Sequence, residues 1–254
     1  INEVSPSSKV FNYNNDDAFS EQYPSFFWEL FKKGIHLYDH VFCYRSKNIV
    51  DLEKVNYHKT SLLLPYYIKE KNFQKQHNYK ERAYEVVFIG HYENDGRDEY
   101  LKILIENDFK VGLFGTGWES SKHYPFFISH FKTIKRLNGE SYNDVLNEAK
   151  VALVFMSKLN NDQYTRRCFE IPATGAVMFS ERTIALTSLY EENKEIVFFD
   201  DKTDMLANLK RLFENKNALE EISINARNRL LADKHELTDR VNEVIDKYRQ
   251  IKKK

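Results

Sequence analysis

An α/β fold built on parallel sheets is what this sequence predicts, on three observations. Short apolar, β-branched or aromatic runs recur along the 254-residue chain. Segments of helical length and periodicity separate them. The runs are apolar nearly throughout rather than alternating, as strands buried on both faces are. Strands joined by helix-length segments give βαβ units and a sheet covered by helices on both sides.

The elements follow in order. Strands are predicted at Lys9–Tyr13, His40–Tyr44 and Ser61–Leu64, with helices at Pro24–Lys33 and Lys47–Val55 between them. Lys69–Arg82 is polar and aperiodic and reads as an interdomain linker. Further strands are predicted at Tyr84–Gly90, Phe109–Gly115, Val151–Met156, Ala176–Ser180 and Glu195–Phe199. Helices at Arg97–Glu106, Ser141–Ala149, Thr165–Thr174 and Asp204–Phe213 alternate with them, and Ala218–Leu231 and Leu237–Ile251 close the chain. The expected organisation is a partial N-terminal Rossmann-like lobe over 1–75, a C-terminal Rossmann-like domain over 76–235, and a last helix over 236–254. The first lobe reads as incomplete, because about three strands fall short of the five or six of a doubly wound domain.

Composition excludes several classes. Lys and Arg together number 38, as do Asp and Glu, so the basic excess that nucleic-acid binding needs is missing. The one basic cluster, Arg249 to Lys254, is either a solvated helix end or a weak peripheral contact with anionic lipid. Cys43 and Cys168 lie far apart in apolar surroundings. They form neither a disulfide framework nor a metal spacing, which suits a reducing, cytoplasmic location. No apolar run is long enough to span a bilayer, and no His or Cys cluster implies a metal.

The densest constellation is Asp162 to Ala176, between a predicted strand and the next. Ligands of open α/β sheets sit at the carboxyl ends of strands. Thr165 is the expected helix N-cap, and Arg166 and Arg167 suit a diphosphate. Glu170 lies one turn beyond Arg166, where its carboxylate can accept bonds from two ribose hydroxyls. Taken singly, Arg166 and Glu170 also fit a simple i,i+4 ion pair, and Gly175 a helix C-cap. A second candidate loop follows Gly90, with His91 and, at the start of the next helix, Arg97. Gly117-Trp118 marks a third turn, where Trp118 either lines a base pocket or packs. In the first lobe Asp16-Asp17 ends a predicted strand and either faces the cleft or forms a turn.

Asp162, Thr165, Arg167, Phe169-Glu170-Ile171-Pro172-Ala173, Gly175 and Glu181-Arg182-Thr183 together resemble the signature of the CgeB-like glycosyltransferases. These are B-fold enzymes related to the group 1 retaining family. Phe88 to Tyr92 with Gly96-Arg97, Gly115 to Trp118, and Leu189 to Asp200 resemble further segments in the same order, over Tyr84 to about Tyr248. The resemblance implies two Rossmann-like lobes of the glycosyltransferase B fold. It implies a nucleotide-sugar donor, UDP- or GDP-linked, held by the C-terminal domain, and a glycan or other acceptor on the N-terminal side. It implies metal-independent transfer of a hexosyl group with retention, no cofactor, and a last helix packing back on the first lobe. Glu170 is then the ribose ligand, Asp162 the sugar contact, and Asp16-Asp17 the cleft side. An incomplete lobe also fits a non-catalytic nucleotide-sugar sensor or scaffold. A nucleotide-sugar epimerase of the same fold is the other enzyme reading.

Overall fold

The computed structural model describes residues 8–75 and 78–253. The elements in chain order are β1 Phe11–Asn14, α1 Glu29–Gly34, β2 His40–Cys43, α2 Ser46–Lys54, β3 Thr60–Leu62, β4 Tyr84–Ile89, α3 Arg97–Glu106 and β5 Val111–Phe114. Then come α4 Tyr124–Phe131, α5 Glu140–Asn147, β6 Ala149–Val154, α6 Arg167–Ala173, β7 Val177–Glu181, α7 Ile184–Leu189, β8 Val197–Phe199, α8 Lys202–Glu214, α9 Lys216–Ala232 and α10 Leu237–Lys252. The strands fall in two parallel sheets, and the chain divides into two compact units. The α/β expectation holds.

The first unit contains the stretch up to Pro65, Ser157–Asp162 and the final helix α10. Its sheet runs β1-β2-β3, with Phe11 opposite His40 and Val41 opposite Thr60. Successive strand residues point to opposite faces, and β2 separates two packings accordingly. Val41 and Cys43 join Ile35, Leu52 and Tyr57 in a core to which Phe19 and Phe31 add. His40 and Phe42 meet the Phe11 ring, on which Tyr248 of α10 also packs at 6.5 Å between centroids. Arg240 of α10 donates from Nε to the Pro65 carbonyl.

The second unit has the sheet order β5-β4-β6-β7-β8, every pair parallel. Its central strands are apolar on both faces because helices cover both, and Val86, Val151, Val177 and Phe179 are fully buried. Strand order reverses at β4, whose neighbours are β5 and β6. That reversal opens a crevice beyond the strands' carboxyl ends.

The polar stretch Lys69–Arg82 is bound into this unit. Asn143 Oδ1 accepts from the Phe73 amide and Asn147 Oδ1 from the Lys75 amide. Buried Arg82 donates from Nη1 to the carbonyls of Ala149 and Gly175. Its polarity pairs backbone groups at the base of the sheet. Helices α4 and α7 were not anticipated. The strand expected from Phe109 begins at Val111, because Asp108 turns at φ 64° and the Phe109 amide still bonds the Leu104 carbonyl.

Candidate functional site

The loops after β4 and β5 are welded to each other. Gly90 donates to Phe114 O, Tyr92 donates to Thr116 O, and the Trp118 indole donates to Gly90 O at 3.1 Å. Gly115 and Gly117 make this approach feasible. Both have left-handed φ, +142° and +78°. A Cβ on Gly115 would stand 1.8 Å from the Gly90 oxygen, and one on Gly117 2.4 Å from the His91 ring. Trp118 therefore belongs to the core, fully buried beside Phe88 and Phe127, and does not line a pocket. Arg97 is likewise internal. Its guanidinium grips the Asp95 carboxylate with Nε and Nη2 and donates from Nη1 to the His91 carbonyl, so it braces the loop instead of offering a free cation.

Helix α6 brings the other wall. Pro172 inside it has no N–H to give the Cys168 carbonyl, and that carbonyl accepts from the buried Tyr190 hydroxyl instead, at 2.9 Å. The helix starts at Arg167, two residues later than the sequence suggested. Thr165 is not its cap: its amide and hydroxyl lie against Cys168 Sγ. Gly175 stands past the far end of α6, where its carbonyl accepts from Arg82 and Ser223, so it anchors structure and not a ligand.

Between these walls lies a cavity of ≈ 360 Å³ whose lining includes Gly90, His91, Thr116, Arg136, Leu137, Asn138, Tyr142, Arg166, Arg167 and Glu170. Gly90, His91, Arg166, Arg167 and Glu170 thus meet as the sequence suggested. Glu170 Oε1 pairs with Arg166 Nε at 2.8 Å, and Oε2 accepts from the Tyr142 hydroxyl at 2.8 Å. The Arg166 guanidinium also stacks on the Tyr66 ring, 4.7 Å from its centroid. Burial first, then the Glu170 carboxylate, holds the Tyr142 phenol well above its ordinary pKa, so it stays protonated and donates. Arg167 packs its Nη2 over Gly90. Among the described residues neither Arg167 nor Arg136 is paired with a carboxylate, although Arg136 donates from Nε to Asn138 Oδ1. His91 is exposed, with Nδ1 3.0 Å from Thr116 Oγ1. The cavity carries one carboxylate and three guanidinium groups, one of them already neutralised.

The acidic candidates belong to the first unit. Asp17 is fully buried and accepts from Asn48 and Asn161 Nδ2, Lys47 Nζ and the Phe19 amide, closing a turn. Burial raises its pKa, but those bonds outweigh it and hold the carboxylate below its ordinary value. Asp16 is exposed and accepts from Asn160 Nδ2. Asp162 is part-buried against Arg45, whose Nε and Nη2 both reach Oδ1 while Nη1 donates to Asn15 O. Of the two carboxylates eight residues apart, only Glu170 lines the cavity. Glu181 accepts from the Met156 amide, and Thr183 caps α7 and donates to Gln163 O, so these signature residues tie strand ends together. Among the described residues no group of three or more His, Cys, Asp or Glu could hold a metal ion, and no helix is long and apolar enough to cross a membrane.

A family model described as glycosyl transferase-like matches residues 97–246. The chain belongs to that family. No curated protein matches it in sequence. Solved structures do match this glycosyl transferase-like chain. Sucrose-phosphate synthase from Thermosynechococcus elongatus superposes with a TM-score of 0.66 at 13% identity, over 87% of this chain and 60% of that one. Anabaena Alr3699/HepE in complex with UDP and glucose gives 0.71 at 8% identity, over 96% and 72%. The pneumococcal O-GlcNAc transferase GtfA in complex with UDP and GlcNAc gives 0.67 at 9%, over 98% and 54%. The fold is that of the B-type glycosyltransferases. This chain spans 60% of the synthase and about half of GtfA.

Arg136, Leu137, Asn138 and Tyr142 were missed by sequence reasoning, though all lie within the matched stretch. Arg136-Leu137-Asn138-Gly139 carried one signal, a cation beside a turn pair. Tyr142 carried none, because an aromatic at helical spacing is ordinarily packing.

Proposed function

We propose that the cavity beside α6 binds the nucleoside-diphosphate part of a nucleotide sugar. The protein to which this chain belongs would transfer the sugar, a hexosyl group, to a glycan or other acceptor. The observation that carries the reading is the charge balance of the cavity. Arg167 and Arg136 have no carboxylate partner, next to a Glu170 carboxylate held at the rim of the same space. Uncompensated guanidinium groups at the carboxyl end of a parallel sheet suit a diphosphate, which they meet with paired, charge-assisted bonds. Glu170 suits the two ribose hydroxyls, since Oε2 keeps a lone pair beyond the bond from Tyr142, and Oε1, in ion-pair contact with Arg166, keeps acceptor capacity. Structures of similar fold with UDP bound support a UDP-linked donor, with a GDP-linked one as the other choice.

Breaking the glycosidic bond leaves a new negative charge on the diphosphate. Arg167, packed over Gly90, and Arg136 would stabilise that charge by electrostatic attraction, with no metal in the reading. Retention of configuration and the CgeB-like subgroup belong to this proposal, supported by the signature residues from Thr165 to Thr183. The acidic residues of the first unit are already bonded within it. We therefore assign no sugar contact to Asp162 and no acceptor contact to Asp17.

A thermal-shift panel of nucleotide sugars on the wild type and on Glu170→Ala tests the reading. A ligand that binds the folded state raises the melting temperature, the more so the further its concentration exceeds its Kd. The expected result is a shift with a UDP- or GDP-sugar that largely disappears in the variant. No shift with any nucleotide sugar removes the donor reading. An equal shift in the variant removes the ribose role of Glu170 alone.

A further inference from the structure

Tyr142 stands out once the cavity is in view. It is partly buried in the first turn of α5, and its hydroxyl spends its proton on Glu170 Oε2 at 2.8 Å. Oε1 is held by Arg166 at 2.8 Å, and the Tyr66 ring in turn supports Arg166. The carboxylate is therefore held by a hydrogen bond from α5 at one oxygen and by an ion pair with the residue preceding α6 at the other. A free carboxylate rotates and meets one hydroxyl or two indifferently; a fixed one presents its remaining lone pairs in set directions. Two such directions match a cis-diol, whereas a ligand with one hydroxyl leaves one of them unanswered. Leaving a polar group of a semi-enclosed site unpaired is what gives hydrogen-bonding sites their discrimination.

Resting on the donor reading above, we propose that Tyr142 is a positioning residue that orients Glu170 and so makes the site selective for ribonucleoside over 2′-deoxyribonucleoside diphosphates. Tyr142 acts through the carboxylate, because its one hydroxyl proton is spent on Glu170 Oε2. Its removal then affects ribose recognition and leaves the diphosphate contacts of Arg167 and Arg136 as they are.

The experiment is calorimetric titration of the chain with UDP and 2′-deoxy-UDP, and with GDP and 2′-deoxy-GDP, for the wild type, Tyr142→Phe and Glu170→Gln. Inorganic pyrophosphate is titrated in parallel. In the wild type the ribo form of the preferred base is expected to bind at least tenfold tighter than its deoxy form, on the order of one lost bond to a charged group. Tyr142→Phe should shrink that ratio to about threefold or less, with pyrophosphate binding unchanged; Glu170→Gln should abolish the ratio. If Tyr142→Phe keeps the wild-type ratio while Glu170→Gln loses it, the positioning role is wrong and the donor reading stands. If Tyr142→Phe weakens pyrophosphate as much as UDP or GDP, Tyr142 is merely structural and the proposal is overturned. If no diphosphate binds the wild type, the donor reading fails and takes this proposal with it.

Discussion

The ends of the parallel strands are charged in both units, yet the charges have opposite fates. In the first unit every acidic candidate but the exposed Asp16 is bonded within the chain: the buried Asp17 accepts from four donors and the part-buried Asp162 is pinned by Arg45. In the second unit Arg167 and Arg136 line a cavity with no carboxylate paired to either, and Glu170 keeps acceptor capacity to spare. A buried charge that meets its complement inside the chain serves the fold. A charge left uncompensated over open space is available to a ligand. Both sets are charged residues near strand ends, and the three-dimensional neighbours separate their roles.

Removing a charge from each region is the way to break that contrast. The largest effect is expected from Arg45→Ala, which removes the buried guanidinium that binds both Asp162 Oδ1 and the Asn15 carbonyl. Destabilisation of about 3–5 kcal/mol is expected in urea unfolding, with the Arg45→Ala/Asp162→Ala double variant recovering part of it. A near-wild-type midpoint for Arg45→Ala would erase the distinction. Arg167→Ala should do the reverse. Its stability should stay within about 0.5 kcal/mol of wild type, while affinity for the preferred nucleoside diphosphate falls about 10- to 100-fold in calorimetry.

A pH effect sharpens the picture of the first unit. His40 is buried between Phe11 and Phe42, with Nε2 2.8 Å from Ser61 Oγ. Burial first, then the Lys247 charge, lowers its pKa from 6.5 to about 4. Between those values the unfolded chain binds a proton that the folded chain refuses. The contribution to stability is complete above about pH 6.5 and is lost as pH falls towards 4. Melting temperature measured across that window should slope downward with acid in the wild type and flatten in His40→Gln.

Much of the second unit could be read from sequence because its strands are apolar on both faces and its helices periodic. The meeting of Glu170, Arg166 and Arg167 with Gly90 and His91 followed from one rule, that ligands gather at strand carboxyl ends. The candidates that lie outside the cavity share a feature. Arg97 looked like a free cation at a helix start, but the turn folds Asp95 back onto its guanidinium. Asp162 looked like a sugar contact because its spacing from Glu170 is visible, whereas Arg45 is 117 residues away. Tyr142 reaches Glu170 across 28 residues, a proximity fixed by topology and by nothing local.

The crowding of Gly115 and Gly117 against Gly90 and His91 bears on how such a site can diverge. Replacement of Gly115 by any side chain would drive carbon into a carbonyl oxygen, so mutation explores almost nothing there. The exposed Arg136 and Asn138 face no such barrier, with only solvent and each other to accommodate. Change of ligand preference, whether by natural drift or in a laboratory library, is therefore channelled into that segment, while the glycine weld stays fixed.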